Sequence, residues 1–319
     1  MKRIGVLTSG GDAPGMNAAV RAAVRQAIFD GLAVTGIRKG YAGLIAGEYM
    51  EMDTGSVADI IHRGGTILRT ARCEEFYEEA GRWQAVECLK AAGIEGLVVI
   101  GGDGSFRGAA CLHQMGIKTV CIPATIDNDI AGTDYTLGFD TAVNSVVEAI
   151  NKIRDTATSH ERVFLIEVMG RYSGQIALYA GIAGGAESVL VPELPVSLEE
   201  AGERIRRSRS RGKLHSIILV AEGVGSALEI GKVIKERTGL DTRVTILGHI
   251  QRGGAPTAFD RVLATRLGSE AVKLLSAGAS GVMVGMAASQ ITVLPLEEVL
   301  SRQKVLNEEL YRLAGVLSI

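Results

Sequence analysis

At 319 residues, with 47% hydrophobic and 22% charged side chains, the chain has the composition of ordinary folded protein and the length of about two domains at ~150 residues each. A formal net charge of -2 excludes nucleic-acid or membrane-surface binding driven by bulk charge, so any anionic ligand has to be met by local arginine clusters. No apolar run approaches the ~20 residues of a membrane span, Ile4 to Leu7 is too short for a signal-peptide core, and Cys73, Cys88, Cys111 and Cys121 show neither CxxC nor metal-ligand spacing, so free thiols in a cytoplasmic protein are expected.

Ile4-Gly5-Val6-Leu7 reads as a strand running into Thr8-Ser9-Gly10-Gly11-Asp12-Ala13-Pro14-Gly15-Met16-Asn17. Ala18, Ala19, Ala22, Ala23, Ala27 and Ile28 then recur at helical spacing up to Gly31. Such a turn leaves backbone N–H groups free at a helix N-terminus, where the dipole favours anions. It has neither a Walker A lysine nor GxGxxG in register, and alone it reads equally as a packing turn. Arg21 and Arg25 share a face of that helix, by default a solvated one. Gly64-Gly65-Thr66 and Arg69-Thr70-Ala71-Arg72-Cys73 bring glycines and arginines together again, with Arg72 either clamping a phosphate or pairing with Glu74 and Glu75.

Helical spacing from Gln84 to Ala92 is followed by the continuous strand Leu97-Val98-Val99-Ile100, by Gly101-Gly102-Asp103-Gly104-Ser105, and by a helix through Ala109, Ala110 and Leu112. This repeats the first strand, Gly-Gly-Asp, helix arrangement and favours phosphate and metal over mere packing. Asp103 stands where Mg²⁺ bridging two phosphates needs an oxygen ligand. Thr119-Val120-Cys121-Ile122 is a further buried strand, and Pro123-Ala124-Thr125-Ile126-Asp127-Asn128-Asp129-Ile130 follows it with two carboxylates, a hydroxyl and an amide. An isolated Asp-Asn-Asp reads as an Asx-rich turn. At the carboxyl end of a sheet strand it reads as a site, with Asp127 or Asp129 accepting a proton or facing a metal.

A helical stripe runs from Phe139 to Arg154, capped near Asp140-Thr141. Strands are expected over Val163 to Met169, Ser188 to Pro192, Ser216 to Ala221 and Thr242 to Leu247, with a capping box at Ser197 and Glu200 and a basic run from Arg204 to Lys213. Arg162 and Arg171 flank the first of these strands, and phosphates would partner them. Gly248-His249-Ile250-Gln251-Arg252-Gly253-Gly254 ends the last, with His249 a base, a hydrogen-bond donor or a satisfied loop histidine. A helix over Thr257 to Leu275, one strand within Ser280 to Val293 and a peripheral helix near Asn307 to Leu313 complete the chain. Strands and helices alternate throughout, so the class is α/β with mainly parallel sheets flanked by helices.

Together, Thr8 to Asn17, Gly101 to Ser105, Thr125 to Asp129, Met169-Gly170-Arg171 and Gly248 to Gly254 resemble the bacterial ATP-dependent 6-phosphofructokinases, over residues 4 to about 275. The resemblance implies two domains with a cleft between them, 1–138 plus 251–301 for ATP and 139–250 plus 302–319 for the sugar phosphate. It implies a homotetramer and transfer of the γ-phosphoryl of ATP to the 1-hydroxyl of fructose 6-phosphate, with Mg²⁺ on Asp103. In this reading Asp127 takes the hydroxyl proton, Asp129 orients it or the metal's waters, and Gly11, Arg72, Thr125 and Arg171 complete the catalytic set. Tyr41, Arg72, Cys73, Gly102, Asp103, Gly104, Ser105, Gly108 and Gly11 would line the ATP side. Thr125, Ile126, Asp127, Met169, Gly170, Arg171, Glu222, His249, Ile250, Gln251 and Arg252 would hold the sugar phosphate, with Arg162 and Arg243 reaching its phosphate from a neighbouring subunit.

The family's effector site for ADP or phosphoenolpyruvate would comprise Arg21, Ala22, Ala23, Val24, Arg25, Arg154, Gly185, Ala186, Glu187, Arg211, Lys213, Leu214 and His215. Thr54 and Leu214 stand where the family usually has Arg and Lys, so blunted regulation is expected. Tyr77 stands where a basic residue is common near the adenine nucleotide. Gly104 and Ala124 argue for ATP over pyrophosphate, whose users typically carry Asp and Lys there. The alternatives are a pyrophosphate-dependent phosphofructokinase, decided by swapping donors, and a non-catalytic nucleotide-sensing module, which would have little need for Asp103, Asp127, Asp129, Arg72 and Arg171 together. A dinucleotide-binding oxidoreductase lacks its fingerprint.

Overall fold

Residues 1–318, which the computed structural model describes, start with β1 (Arg3–Thr8), α1 (Met16–Phe29), β2 (Ala33–Ile37), α2 (Gly40–Ala46), β3 (Tyr49–Met52), α3 (Glu79–Ala91), β4 (Gly96–Gly101), α4 (Asp103–Gln114) and β5 (Lys118–Pro123). Then come α5 (Phe139–His160), β6 (Val163–Val168), α6 (Gln175–Ala183), β7 (Ser188–Leu190), α7 (Leu198–Ser210), β8 (Ser216–Ala221), α8 (Ala227–Thr238) and β9 (Thr242–Ile246). The chain closes with α9 (Ala258–Ser276), β10 (Val282–Ala287), β11 (Gln290–Pro295), α10 (Leu296–Ser301) and α11 (Glu308–Leu317). No described helix is long and apolar enough to cross a membrane.

These elements form two units. Met1–Ile126, Ile130–Thr141 and Arg252–Lys304 make the first, while Asp127–Asp129, Ala142–Gln251 and Val305 onward make the second. The first holds a seven-stranded sheet in the order β11-β10-β5-β4-β1-β2-β3, parallel except for the β2/β3 and β10/β11 pairs. Strand β4 is buried along its whole length, as its unbroken apolar run requires, with Leu97 and Val99 packed against Leu89 of α3 and Phe106 and Leu112 of α4. The second unit is a four-stranded parallel sheet, β7-β8-β6-β9. Its core joins Leu165, Ile218 and Val220 to Ile205 of α7 and Ile230 and Ile234 of α8.

Several elements differ from the expectation. The single strand within 280–293 is a hairpin, turned at Ala288 and Ser289, both with positive φ (47° and 65°). Neither is the Asn or Gly that announces such a turn; Ala288 N–H instead donates to Asp134 Oδ2 at 2.7 Å. Helix α5 continues past Arg154 to His160 because Ala157 extends the buried stripe. Helix α6 carried no periodic signal, being apolar on nearly every position and largely buried. Ser197 Oγ does accept Glu200 N–H at the start of α7.

The start of α5 draws on a distant residue rather than on Asp140 and Thr141 alone. Asp260 of α9 is fully buried, and its carboxylate accepts the Gly138 N–H (3.0 Å), the Thr141 N–H (2.9 Å) and the Thr141 hydroxyl (2.5 Å). Burial pushes its pKa up to about 6 against the opposing pull of these donors, with Asp140 adding to the rise. The folded chain therefore binds this proton more tightly than the unfolded chain does. The group's stabilising contribution is complete below pH about 4 and is lost as pH rises through about 6, on the order of 3 kcal/mol in all. Urea midpoints of the wild type and Asp260→Asn between pH 4 and 7 check this: the wild type's standing relative to the variant is expected to fall as pH rises.

Candidate active site

Strands β5, β4 and β1 are neighbours, and because β2 lies on the far side of β1, the sheet's winding direction reverses between β1 and β4. Loops at such a switch point form the ligand crevice of α/β sheets. Here the first unit's loops are the two Gly-Gly-Asp turns and the stretch Ala124 to Ile126 that follows β5. Ser9 N–H donates to Ile100 O at 3.0 Å and Ala124 N–H to Gly101 O at 2.9 Å, so neighbouring loops are tied by backbone. A Cβ on Gly11 would lie 2.6 Å from Arg252 Nη1, which itself donates to Asp12 O; a side chain at 11 would push the guanidinium out of this place.

Asp103 is the first residue of α4, half exposed, and accepts Arg107 Nε at 3.0 Å and Nη2 at 3.4 Å. A Cβ on Gly104 would meet open space, whereas one on Gly108 would lie 2.7 Å from the Tyr41 ring. Tyr41 is buried, donates its hydroxyl to Ser105 O at 2.6 Å and stacks on Phe76 at 4.2 Å between centroids, so it braces the loop from behind. Cys73 is half-buried against the same core, and Arg72 is exposed and pairs with neither Glu74 nor Glu75 among the described residues. The stretch that precedes them, Arg63 to Ile67, is held by Asn17, whose Nδ2 donates to Arg63 O and Gly64 O while Oδ1 accepts Ile67 N–H.

After β5, Thr125 O accepts the Thr136 hydroxyl at 2.6 Å, Ile126 is buried, and Asn128 turns the chain with φ 51°. In the second unit, Asp127 is 4% exposed, its Oδ2 lies 4.0 Å from Arg171 Nε, and its backbone carbonyl accepts the Ser173 hydroxyl at 2.9 Å. Asp129 is exposed. Glu222 Oε1 accepts both Gly170 N–H (3.1 Å) and Arg171 N–H (2.7 Å), which fixes a backbone with φ 141° and 54° at those residues. Gln251, fully buried, accepts Met169 N–H and donates to Gly248 O, while His249 and Ile250 are exposed.

Arg162 and Arg243 stand at the opposite end of β6 from Met169, Gly170 and Arg171. Both engage Asp241, at 2.7 Å and 3.2 Å. A six-residue strand spans roughly 20 Å, so within one chain these two arginines do not join the Arg171 group.

Of the expected effector residues, Arg154 bonds Gly184 O and Gly185 O, and Lys213 pairs with the buried Glu187, which also accepts Ile217 N–H. Ala186 is buried beside them, Arg211 and Leu214 are exposed, and burial holds His215 below the usual imidazole range against the pull of Glu187. Arg21 to Arg25 lie on α1 in the first unit, with Ala22, Ala23 and Val24 buried and Arg25 exposed. Thr54 sits in an Asx turn in which Asp53 Oδ1 accepts Ser56 N–H and hydroxyl.

Sequence reasoning passed over Asn17, Ser173, Thr136 and Asp260, all buried polar residues whose partners are distant in the chain. The one local signal was a polar residue within an apolar helical stripe, at Asn17 and Asp260.

The family model described as Phosphofructokinase matches residues 3–275. An ATP-dependent 6-phosphofructokinase of Halalkalibacterium halodurans is 60% identical over 319 residues, covering all of both chains. The solved phosphofructokinase of Saccharomyces cerevisiae superposes with a TM-score of 0.90 at 38% identity, over 94% of this chain and 45% of that one, so the chain spans under half of the yeast subunit. A pyrophosphate-dependent phosphofructokinase from Marinobacter aquaeolei shares the fold, with a TM-score of 0.88 at 23% identity over 97% of this chain and 86% of its own.

Proposed function

The chain belongs to the phosphofructokinase family, and from that premise we propose that it transfers the γ-phosphoryl of ATP to the 1-hydroxyl of fructose 6-phosphate, with Asp127 as the base. The observation that carries this reading is the buried Asp127 carboxylate 4.0 Å from Arg171 Nε, in a turn fastened by Ser173 and Glu222. Phosphoryl transfer needs positioning and charge neutralisation more than covalent help. Asp127 would take the hydroxyl proton as the bond to phosphorus forms. Arg171 would sit on the transferring group, and Gly11 N–H and Arg72 would neutralise it from the nucleotide side.

Mg²⁺ fits the residues present. Among the described residues no three carboxylate, histidine or cysteine groups cluster as a cage, and Asp103 offers one half-exposed carboxylate at a helix start, the sparse protein share that Mg²⁺ accepts when phosphates supply the rest. Bound there, the ion would neutralise phosphate charge. Arg107 would have to share the carboxylate.

Open space at Gly104 and the buried Ala124 support ATP as donor. A coupled assay with each donor tests the whole reading. Turnover with ATP is expected to exceed that with pyrophosphate at least about a hundredfold, and comparable rates would favour the pyrophosphate-dependent alternative.

The family resemblance also implies a homotetramer, and we read the assembly so. The far-end placement of Arg162 and Arg243 supports it, since only a second copy could bring them to the sugar phosphate. Control by ADP or phosphoenolpyruvate is blunted in this reading. Two usual cations are missing at Thr54 and Leu214, and Lys213 is paired with Glu187. Each lost charge-assisted bond is worth about 1.5–3 kcal/mol, or more than about tenfold in affinity. Phosphoenolpyruvate titrations should be shallow at micromolar concentration, and Thr54→Arg with Leu214→Lys should sharpen them.

A further inference from the structure

We propose that Asp260 is a positioning residue for phosphoryl transfer, setting the place of the Asp127 segment through the first turn of α5. The segment leaves the sheet at Pro123 and returns at Leu137, and its two limbs are bonded to each other. Leu137 N–H donates to Pro123 O at 2.9 Å, the Thr136 hydroxyl to Thr125 O at 2.6 Å, and Ala124 and Leu137 form a parallel bridge. The returning limb ends at Gly138, where Asp260 takes hold of the Gly138 N–H and both donors of Thr141.

The network extends through Thr257. The Thr141 hydroxyl oxygen accepts Thr257 N–H at 3.0 Å, the Thr257 hydroxyl donates to Asp140 Oδ2 at 2.5 Å, and Thr257 Oγ1 accepts Asp260 N–H at 3.2 Å to cap α9. Asp140 adds its negative charge to the pressure on the Asp260 carboxylate. The buried carboxylate faces the first N–H groups of α5, where the dipole favours a negative charge. No neutral side chain of this size offers acceptors on both oxygens: in Asn, an NH₂ would be aimed at an N–H. Loosening this hold would let Thr136 and Leu137 shift, and with them Thr125, two residues before Asp127.

This rests on Asp127 being the base, and the test separates the two ideas. We would measure kcat and KM for Asp260→Asn, Asp127→Ser and the double variant in the tetrameric or whole native enzyme, with circular dichroism to verify folding. Asp260→Asn alone is expected to lower kcat about tenfold or more while leaving KM for ATP and fructose 6-phosphate within about threefold. In the Asp127→Ser background the same change is expected to cost less than about twofold, because a residue that acts through Asp127 has nothing left to place. An equal cost in both backgrounds, a change confined to KM, or kcat within about twofold of wild type would overturn the proposal. A near-normal Asp127→Ser would instead overturn the assignment of the base, and this inference with it. Should Asp260→Asn not fold, Thr141→Val, which removes only the shared hydroxyl, is expected to give the same non-additive pattern at smaller amplitude, and additivity would count against the idea.

Discussion

Replacing Asp127 by Ser is expected to lower kcat about 10³-fold, while KM for fructose 6-phosphate stays within about threefold. Asp127 holds its place through its backbone as well as its side chain, since the Ser173 hydroxyl bonds its carbonyl, so the turn survives the substitution. What disappears is the buried carboxylate 4.0 Å from Arg171 Nε, and with it the acceptor for the sugar's proton. Arg171, released from that carboxylate, remains available to a phosphate, which is why binding should hold while turnover collapses. Steady-state kinetics with both substrates varied checks the split. A loss of less than about tenfold would mean that another group, or solvent, removes the proton.

Gly170→Ala should be nearly as damaging without touching a charged group. Gly170 has φ 141°, a backbone region that side-chain-bearing residues rarely enter, and a Cβ there would stand 2.2 Å from Ser173 O. The turn has no room to relax, because Ser173 N–H closes it onto Gly170 O at 2.8 Å while Glu222 holds the N–H groups of Gly170 and Arg171. Relief requires moving Ser173, which carries Asp127's carbonyl, or Arg171. Either displacement misplaces a proposed participant by an ångström or so, worth about 10² in kcat/KM. The strain should also cost about 1–3 kcal/mol of stability, readable as a lower urea midpoint. Activity within threefold of wild type would show that Arg171 and Asp127 are less tightly coupled to this turn than the hydrogen bonds indicate.

The sheet strands could be read from the chain because buried parallel strands are continuous apolar runs, as in β4, in β8 after Ser216 and in β6 up to Glu167. The two Gly-Gly-Asp turns and the Asp127 segment were visible for the same reason: polar groups directly after an apolar run mark the carboxyl end of a strand. Helix α6 was invisible because a helix buried on most sides loses the 3.6-residue period that announces it. The β10/β11 turn was missed because its left-handed Ala288 and Ser289 are held by Asp134, more than a hundred residues away in sequence. Asp260 belongs to the same class. Nothing beside it in the chain discloses that its carboxylate serves the start of α5. Tyr41 illustrates a different gap, since spacing can bring a residue to a loop without telling front from back, and here the ring lies beneath Gly108 with its hydroxyl on Ser105 O.

Neither unit is a contiguous stretch of polypeptide, because the chain passes from one to the other after Ile126, Asp129, Thr141, Gln251 and Lys304. No single proteolytic nick can therefore release either unit whole and alone, and no one gene fragment encodes all of one unit without part of the other. Ribosomal synthesis reaches Arg252, the start of the last stretch of the first unit, only after nearly all of the second has emerged. The first sheet must then wait for β10 and β11 to finish its edge, so interrupted synthesis is expected to leave the first unit incomplete when the second is nearly finished.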